Sequence, residues 1–451
     1  MPKTTDRRWI ALMVLCAGML MIILDVTIVN VALPAIQREL GFSQSGLAWV
    51  INAYLIPFGS LLLLAGRLGD LVSRRGVFVS GLVVFTLASA LCGLAASQEM
   101  LIAARFLQGV GGAATSAVIL GMIVTMFPEP REQARAIGVY SFVASAGGAV
   151  GLLLGGVLTS AVNWHWIFFV NVPVGVCTVA AARRLITADR GPGLRQGADV
   201  LGAVLITGAL MVTVYTVVTP GGSLPLALLA LALGVAFVLR EATAAAPLVP
   251  LRIFRQGETA RANLAQLLSA AGMFGMFFVG VLYCQHVLGY DAMQIGLAFL
   301  PVTVVMGGLS LRYTERLIGR FGARRLVLTG LGLVVVGLAY FARVPSDGSY
   351  LIDVLPAMLL LGSGAGLAFP ALAALAMSSA TPDDAGLASG VFSTTAEVGS
   401  ALGLAVLATL SAGGYRLSFI AAAVMVAAGL AVLVKRPAAV AVAVENELIS
   451  A

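Results

Sequence analysis

Long apolar runs, separated by short charged turns, constrain this chain more than any other feature of its sequence. Each run holds roughly 20 residues, the length that an α-helix needs to cross the hydrocarbon core of a bilayer. Fourteen such runs are recognised, beginning with residues 9–33 and ending with residues 416–434. Hydrophobic residues make up 60% of the chain and charged residues 10%, whereas a soluble domain is about half apolar and a quarter charged. The sequence therefore predicts an all-α integral membrane protein with 14 transmembrane helices.

The distribution of basic residues predicts how these helices are oriented. Cytoplasmic loops carry an excess of Lys and Arg, and a cytoplasmic N-terminus places 23 of the 27 basic residues on that side, all but Arg38, Arg105, Arg343 and Arg416. An even number of spans then places both termini in the cytoplasm, unless the short eighth run, residues 224–239, is re-entrant. Because the basic residues are spread between the runs, they indicate topology and argue against a nucleic-acid partner.

A charged turn at residues 66–76 recurs later in the chain. Aligning Arg67 with Arg316 also aligns Arg75 with Arg324, at a constant offset of 249 residues. A repeat of this kind is typical of transporters built from two related bundles around a central site. The predicted organisation is an N-terminal six-helix bundle (residues 1–190), two inserted transmembrane helices with a linker (191–261), a C-terminal six-helix bundle (262–436) and a short cytoplasmic tail (437–451).

Cysteines and histidines are too few and too scattered to predict an enzyme or a metal site. The four cysteines, each within an apolar run and without C-x-x-C spacing, are Cys16, Cys92, Cys177 and Cys284. His165 and His286 fall at the ends of runs and are interpreted as polar residues at the membrane interface. The sequence therefore predicts no catalytic site, no bound metal and no cofactor.

Three ionisable residues fall inside the apolar runs, where a charge costs about 2.5–3.5 kcal/mol at the bilayer centre. Counting from the ends of their spans places Asp25 and Arg105 at a similar depth, so they form either a static salt bridge or a site that takes up and releases a proton. Glu397, near the middle of span thirteen, is a neutral packed acid, a second proton carrier or a counter-charge for a cationic substrate. Asn52 and Gln108 either line a cavity or bond to neighbouring helices.

Several stretches, in this order, resemble one family. Residues 24–34, 66–75, 105–113 and 164–175 are similar to motifs of the fourteen-span drug:proton antiporter branch of the major facilitator superfamily. The resemblance implies proton-coupled export of amphipathic drugs or antibiotics across a bacterial cytoplasmic membrane by alternating access. A dedicated exporter of a single self-made metabolite is the alternative. The implied partners are the lipid bilayer, a small amphipathic organic substrate and protons, and the implied functional unit is a monomer.

The turn at residues 66–76 acquires a role through this resemblance. In the family, the loop between helices two and three contacts the other bundle and latches the outward-facing state, which would assign Gly66, Asp70, Arg74 and Arg75 to a cytoplasmic gate. The alternative is a solvated loop whose arginines only set orientation. The second copy carries Gly319 opposite Asp70, so any acid in the latch comes from the first half alone.

A run of glycines in the fifth span provides a further motif. Its members are Gly138, Gly147, Gly151, Gly155 and Gly156. Glycines four residues apart form a stripe that allows another helix to approach closely, and ordinary tight packing is one interpretation. The resemblance implies that the stripe lies between the two bundles, as in antiporters. Leu152 stands where the family has Pro, so no proline kink is expected there.

Overall fold

The computed structural model describes residues 4–191, 193, 197–219, 223–244, 247–249, 257–343, 349–378 and 385–434, and the regular secondary structure of these residues is helical throughout. The first nine helices are α1 (Thr4–Leu40), α2 (Ala48–Leu71), α3 (Arg74–Gly93), α4 (Gln98–Met126), α5 (Pro130–Ala161), α6 (Trp166–Phe169), α7 (Asn171–Leu185), α8 (Val200–Val218) and α9 (Leu224–Thr243). The remainder are α10 (Gly257–His286), α11 (Ala292–Leu309), α12 (Glu315–Phe321), α13 (Ala323–Phe341), α14 (Leu355–Met377), α15 (Ala385–Ser411) and α16 (Tyr415–Val434). Short π-helical segments, Ser310–Thr314 and Tyr350–Val354, precede α12 and α14.

Thirteen segments of the described chain are long and apolar enough to cross a membrane. Three of them combine elements: α6 continues into α7, α11 continues into the π-helical segment Ser310–Thr314, and the π-helical segment Tyr350–Val354 continues into α14. Helix α5 has 32 residues, but the apolar stretch recognised within it, Ala146–Ala161, is shorter than a full span. Helix α9 is continuous over 20 residues, long enough to cross where the sequence allowed a re-entrant segment.

The helices pack as two related groups. Within the first group α3 packs on α4, α2 on α4 and α1 on α5, whereas in the second α13 packs on α14 and α10 on α15 and α16. The groups meet chiefly where α2 contacts α15 and α5 contacts α11. Helices α8 and α9 pack against each other, and α8 also contacts α2 and α15.

The 249-residue repeat is visible in the packing. A Cβ added at Gly81 of α3 would lie 2.7 Å from the backbone nitrogen of Thr115 in α4. At the matching position, a Cβ on Gly330 of α13 would lie 2.7 Å from the backbone oxygen of Gly364 in α14. Equivalent helix pairs therefore approach closely at equivalent glycines, because only glycine leaves room for the opposing backbone.

Helix α1 is longer than the apolar run that predicted it. The run ends at residue 33, before Pro34, but the helix continues through Pro34 to Leu40. Gly41, with φ of 69°, follows the last helical residue, and glycine is the residue that most readily adopts this left-handed conformation at a helix end. Gln98 donates a hydrogen bond of 2.9 Å to the Leu40 carbonyl, so contacts with α4 hold the final turn that a proline-based boundary misses.

The helical bundle has two ends, which are identified by the loops that lie there. The upper end is the one where α1 is followed by α2, at residues 41–47, and the lower end is the one where α2 is followed by α3, at residues 72–73.

Candidate functional site

A buried ion pair joins α1 to α4 in the upper part of the first group. Nη1 of Arg105 lies 2.5 Å from Oδ2 of Asp25, and the two side chains are 1% and 0% exposed. Residue counting predicted a similar depth for these two charges, and in the structure they are in direct contact. Because removing either partner would leave an unpaired charge in a dry environment, the pair ties the two helices together.

Neighbouring polar groups complete the hydrogen bonding of this pair. Gln108 Nε2 donates to Asp25 Oδ1 at 2.7 Å, and Asn171 Nδ2, from α7, donates to the same oxygen at 3.3 Å. Arg105 Nε donates to the Val50 carbonyl of α2 at 2.9 Å. Helices α1, α2, α4 and α7 therefore meet in one buried polar network.

Aromatic rings surround the guanidinium of Arg105. Its carbon lies 4.5 Å from the ring centroid of Tyr54 and 5.8 Å from that of Phe168. Such rings attract a cation through their π faces and exclude water. The two rings thereby hold the guanidinium in place beside Asp25.

Glu397 lies at the contact between the two groups of helices. It is half-buried in α15, and its Cβ packs against Gly59 of α2, where a Cβ on the glycine would come within 2.5 Å. Within the described part of the chain, its carboxylate forms neither a hydrogen bond nor an ion pair. The acid thus faces the interface without a fixed partner, unlike Asp25.

The charged turn at the lower end is held by the first group of helices. Asp70 and Arg74 form an ion pair of 2.8 Å, and Arg74 Nη1 donates to the Gly121 carbonyl of α4 at 3.3 Å. Arg75 Nη2 donates to the Arg183 carbonyl of α7 at 2.5 Å. Gly66 lies on α2 beside α4, where a Cβ would be 3.9 Å from Ala117.

An acid that sequence reasoning did not select anchors this turn. Asp189 accepts hydrogen bonds from the Ser73 hydroxyl at 2.7 Å and from the backbone amides of Arg74 and Arg75 at 2.7 and 3.1 Å. Partial burial alone would raise the pKa of Asp189, but these three hydrogen bonds, together with one from its own backbone amide, outweigh it and hold the pKa below its ordinary value. The carboxylate occupies the N-terminus of α3, where unpaired amides and the helix dipole favour a negative charge.

The glycine stripe of α5 faces α1 of the same group of helices. A Cβ on Gly155 would lie 2.9 Å from the Ile28 carbonyl, and one on Gly151 would overlap the Thr27 hydroxyl. A Cβ on Gly147 would also touch α1, at 3.0 Å from a Leu side chain. The resemblance implied that the stripe lies between the bundles, whereas three of its glycines serve packing within the first bundle.

The contact between α5 and α11 uses neighbouring positions instead. A Cβ on Gly156 would lie 2.9 Å from Met293 Cα, and one on Gly296 would lie 2.6 Å from the Leu152 carbonyl. Gly138, at the other end of the motif, has no other atom of the described chain within 4 Å of such a Cβ. Leu152, found where the family has Pro, therefore brings its backbone into the contact between the two groups.

The polar partners of Asp25 were only partly evident from the sequence. Gln108 follows Arg105 by one helical turn, so its position on the same face was readable, but Asn171 arrives from a distant helix. Asn52 is fully buried, and its side-chain amide has no hydrogen-bond partner among the described residues. Across the described residues, no group of three or more His, Cys, Asp and Glu side chains could hold a metal ion.

Comparison with known proteins identifies the family of this chain. The family model described as Major Facilitator Superfamily matches residues 15–404 and 315–447. The chain is 39% identical over 419 residues to the cephamycin export protein CmcT of Amycolatopsis lactamdurans, covering 90% of this chain and 85% of the relative. It is 38% identical over 415 residues to the puromycin resistance protein pur8 of Streptomyces alboniger, covering 90% and 82%.

A solved structure supports the fold. The crystal structure of the human organic anion transporter MFSD10 (TETRAN) superposes with a TM-score of 0.66 at 15% identity, covering 96% of this chain and all of that one. At this identity the likeness concerns the fold alone. With the whole-chain family match and two relatives above one-third identity, the chain belongs to the Major Facilitator Superfamily and is a multi-pass membrane transport protein.

Proposed function

We propose that this protein exports amphipathic organic compounds, including antibiotics, in exchange for protons. The observation that carries the proposal is the buried Asp25, whose charge is balanced by Arg105 at 2.5 Å. Insertion scales give a cost of about 2.5–3.5 kcal/mol for a charge at the bilayer centre, so an ionisable group buried within a membrane span needs a reason to be there, and proton transfer is one such reason. Relatives named for cephamycin export and puromycin resistance support the substrate class.

The proton step follows from the contacts of Asp25. A proton arriving from the upper end neutralises the carboxylate and weakens its hydrogen bonds from Arg105, Gln108 and Asn171, which loosens α1 from α4 and α7. Arg105 retains its charge and favours release of the proton once the site opens to the lower end. Inward passage of a proton yields about 2.3 kcal/mol per 100 mV, energy that is available for outward movement of the substrate.

Glu397 is proposed as a second coupling residue, either as a proton carrier or as the counter-charge of a cationic substrate. Its place between α2 and α15, without a fixed partner, supports contact with a substrate held between the two groups of helices. Export of cationic and neutral compounds by a Glu397→Gln variant separates these roles. Loss for cations alone indicates a counter-charge, loss for both indicates a proton carrier, and loss for neither contradicts the assignment.

The proposed architecture counts α5 as a full span, which gives 14 transmembrane helices. Residues 1–190 and 262–436 then form the two six-helix bundles, residues 191–261 contain the inserted pair, and residues 437–451 form a tail. Both termini are cytoplasmic, the lower end faces the cytoplasm and the functional unit is a monomer. Support comes from the distribution of basic residues and from the 32-residue length of α5.

Transport by inverted membrane vesicles tests the proposal. Uptake of a labelled amphipathic antibiotic into vesicles containing the protein is expected to require a proton gradient. Asp25→Asn is expected to abolish gradient-driven uptake, whereas Glu99→Gln, a change at an exposed acid on α4, leaves it intact. Gradient-driven uptake that persists in Asp25→Asn, with equal protein in the membrane, would refute the role of Asp25.

A dedicated exporter of one self-made metabolite is the second candidate, favoured by the relative named as a cephamycin export protein. Susceptibility of a sensitive host expressing the protein distinguishes the two. Resistance to several chemically unrelated antibiotics supports broad export, and resistance to a single compound class supports the dedicated exporter.

A further inference from the structure

Two buried acids lie together at the lower end of the inserted helices, away from Asp25 and Glu397. Asp199 precedes the first residue of α8, and Glu241 lies in the last turn of α9; each is only 3% exposed. Asp199 Oδ1 accepts hydrogen bonds from the Gly202 amide and from Arg240 Nε, both at 3.0 Å. Glu241 Oε2 accepts from the Val249 amide at 2.8 Å. In each carboxyl group, one oxygen therefore accepts hydrogen bonds from neighbouring protein groups.

The second oxygen of each group is buried and has no hydrogen-bond partner. Both oxygens face the same small space above Gly202, since a Cβ there would lie 2.7 Å from Asp199 Oδ2 and 2.8 Å from Glu241 Oε1. Two unpaired carboxylate oxygens directed at one buried point repel each other and lose their hydration, so both groups cannot remain ionised.

The surroundings supply one positive charge to this pair. In the described part of the chain, the charged group facing the two acids is Arg240 of α9, which pairs with Asp199. Close by, Leu64 from α2, Ala203 from α8 and Leu248 from the segment after α9 form a small buried apolar cluster. The negative charge of Asp199 is therefore balanced by Arg240, whereas that of Glu241 has no positive charge paired with it among the described residues.

We propose that Asp199 and Glu241 form a proton-binding site in which the two carboxyl groups share one proton. The proton resides on Glu241 Oε1 and is donated in a hydrogen bond to Asp199 Oδ2, because Arg240 stabilises the charge of Asp199. Binding takes one proton from the solvent at the lower end and changes the charge of the three side chains from −1 to zero. No bond other than the O–H bond forms or breaks.

The shared proton has a structural consequence for the inserted helices. Glu241 binds the backbone of Val249, and Asp199 caps α8 through Gly202. The proton-mediated contact therefore joins α8, α9 and the segment leading toward α10. The adjoining apolar cluster packs these elements against α2. Helix α2 continues into the charged turn at residues 66–76. Loss of the proton at alkaline pH leaves two negative charges facing each other. Their repulsion weakens the packing of α8 and α9 against α2, whichever substrate is carried.

Two substitutions test the shared proton, because an amide imitates a protonated carboxyl group by donating a hydrogen bond without a charge. Thermal unfolding of the purified full-length protein would be followed between about pH 5.5 and 9 for the wild type, Glu241→Gln and Asp199→Asn. The second variant retains a good helix cap, since Asn is as effective as Asp at this position. Glu99→Gln, at an exposed acid, is the matched control.

The wild type and Glu99→Gln are expected to lose a few degrees in the unfolding midpoint as pH rises. Glu241→Gln and Asp199→Asn are expected to lose less, and the infrared band of a protonated carboxyl group is expected to be weaker in each by one group. An identical pH dependence in wild type and both variants, or retention of the full infrared band, would overturn the proposal. A midpoint of the wild type that rises with added sodium or calcium ions would also overturn it, because a metal ion would then occupy the space.

Discussion

At the scale of single residues, Arg105 holds the buried network together. Its guanidinium contacts an acid, an amide, a backbone carbonyl and two aromatic rings. Arg105→Ala leaves Asp25 buried without a cation, at a cost of about 3–5 kcal/mol. We expect a lower thermal unfolding midpoint in detergent and partial recovery when Asp25→Asn is added. Arg416→Ala, at an exposed arginine, is the control. No recovery in the double variant would show that Arg105 acts mainly by packing.

The depth of Asp25 and Arg105 was predictable because residue number converts to height along a straight helix at about 1.5 Å per residue. Their partners were not predictable in the same way. Asn171 reaches Asp25 only because α7 packs against α1, a tertiary contact that no local pattern records. Likewise, periodicity identified the glycines of α5 but could not tell which helix they face.

His165 has a more specific environment than its sequence position at a span end indicates. Nδ1 lies 2.9 Å from the Gly93 carbonyl and Nε2 lies 3.1 Å from Glu39 Oε1. Both partners only accept hydrogen bonds, whereas a neutral imidazole donates one and an imidazolium donates two. The contact is therefore complete only when the ring carries both protons.

This geometry predicts that His165 contributes more than His286 to the stability of the folded chain. His165→Ala removes the contacts to the Gly93 carbonyl and to Glu39 and should lower the thermal unfolding midpoint. His286→Ala should lower it less, because the partner of His286 is a single hydroxyl, that of Tyr415 at 3.1 Å. Equal midpoints for the two variants would contradict the prediction.

At the scale of elements, the start of α3 depends on Asp189 from the segment after α7. Because its pKa lies below the ordinary value, the carboxylate stabilises the folded state above about pH 4, and this contribution is lost as pH falls through the lower folded pKa. Asp189→Asn should cost about 0.3–1 kcal/mol at neutral pH and little in acid. Chemical denaturation at the two pH values measures it. A loss that is larger in acid would be inconsistent with this sign.

The charged turn itself is not symmetric between the two halves. Asp70 pairs with Arg74, whereas Gly319, at the matching position, has open space around it. If the turn acts as a gate, Asp70→Asn should slow export by several fold with protein level unchanged, and Gly319→Ala should have little effect. Vesicle transport rates compare the two. Equal rates for Asp70→Asn and wild type would leave the arginines with a role in orientation only.

At the scale of the whole molecule, contacts between the two halves occur toward both ends. Near the upper end, Gln44 donates to Ser411 at 3.2 Å and Gly156 packs on α11. Nearer the lower end, a Cβ on Gly390 of α15 would lie 2.5 Å from the side chain of Leu63 in α2. The sequence predicted two related halves, because matching residues of the two copies keep a constant spacing of 249 residues even where the copies differ in sequence. It could not predict where these contacts lie, because they join residues far apart in the chain, such as Gln44 and Ser411.

If the upper end opens during transport, joining the halves there should stop the cycle. Gln44→Cys with Ser411→Cys, in a Cys177→Ser background that removes the exposed native thiol, provides the pair for a short reducible cross-linker. We expect cross-linking to abolish export and reduction to restore it. Leu40→Cys with Gln98→Cys, which joins two helices of the same half at a contact of 2.9 Å, should cross-link without blocking export. Full export after complete cross-linking of the first pair would mean that this contact stays closed throughout transport, and the opening would then have to be sought between α5 and α11.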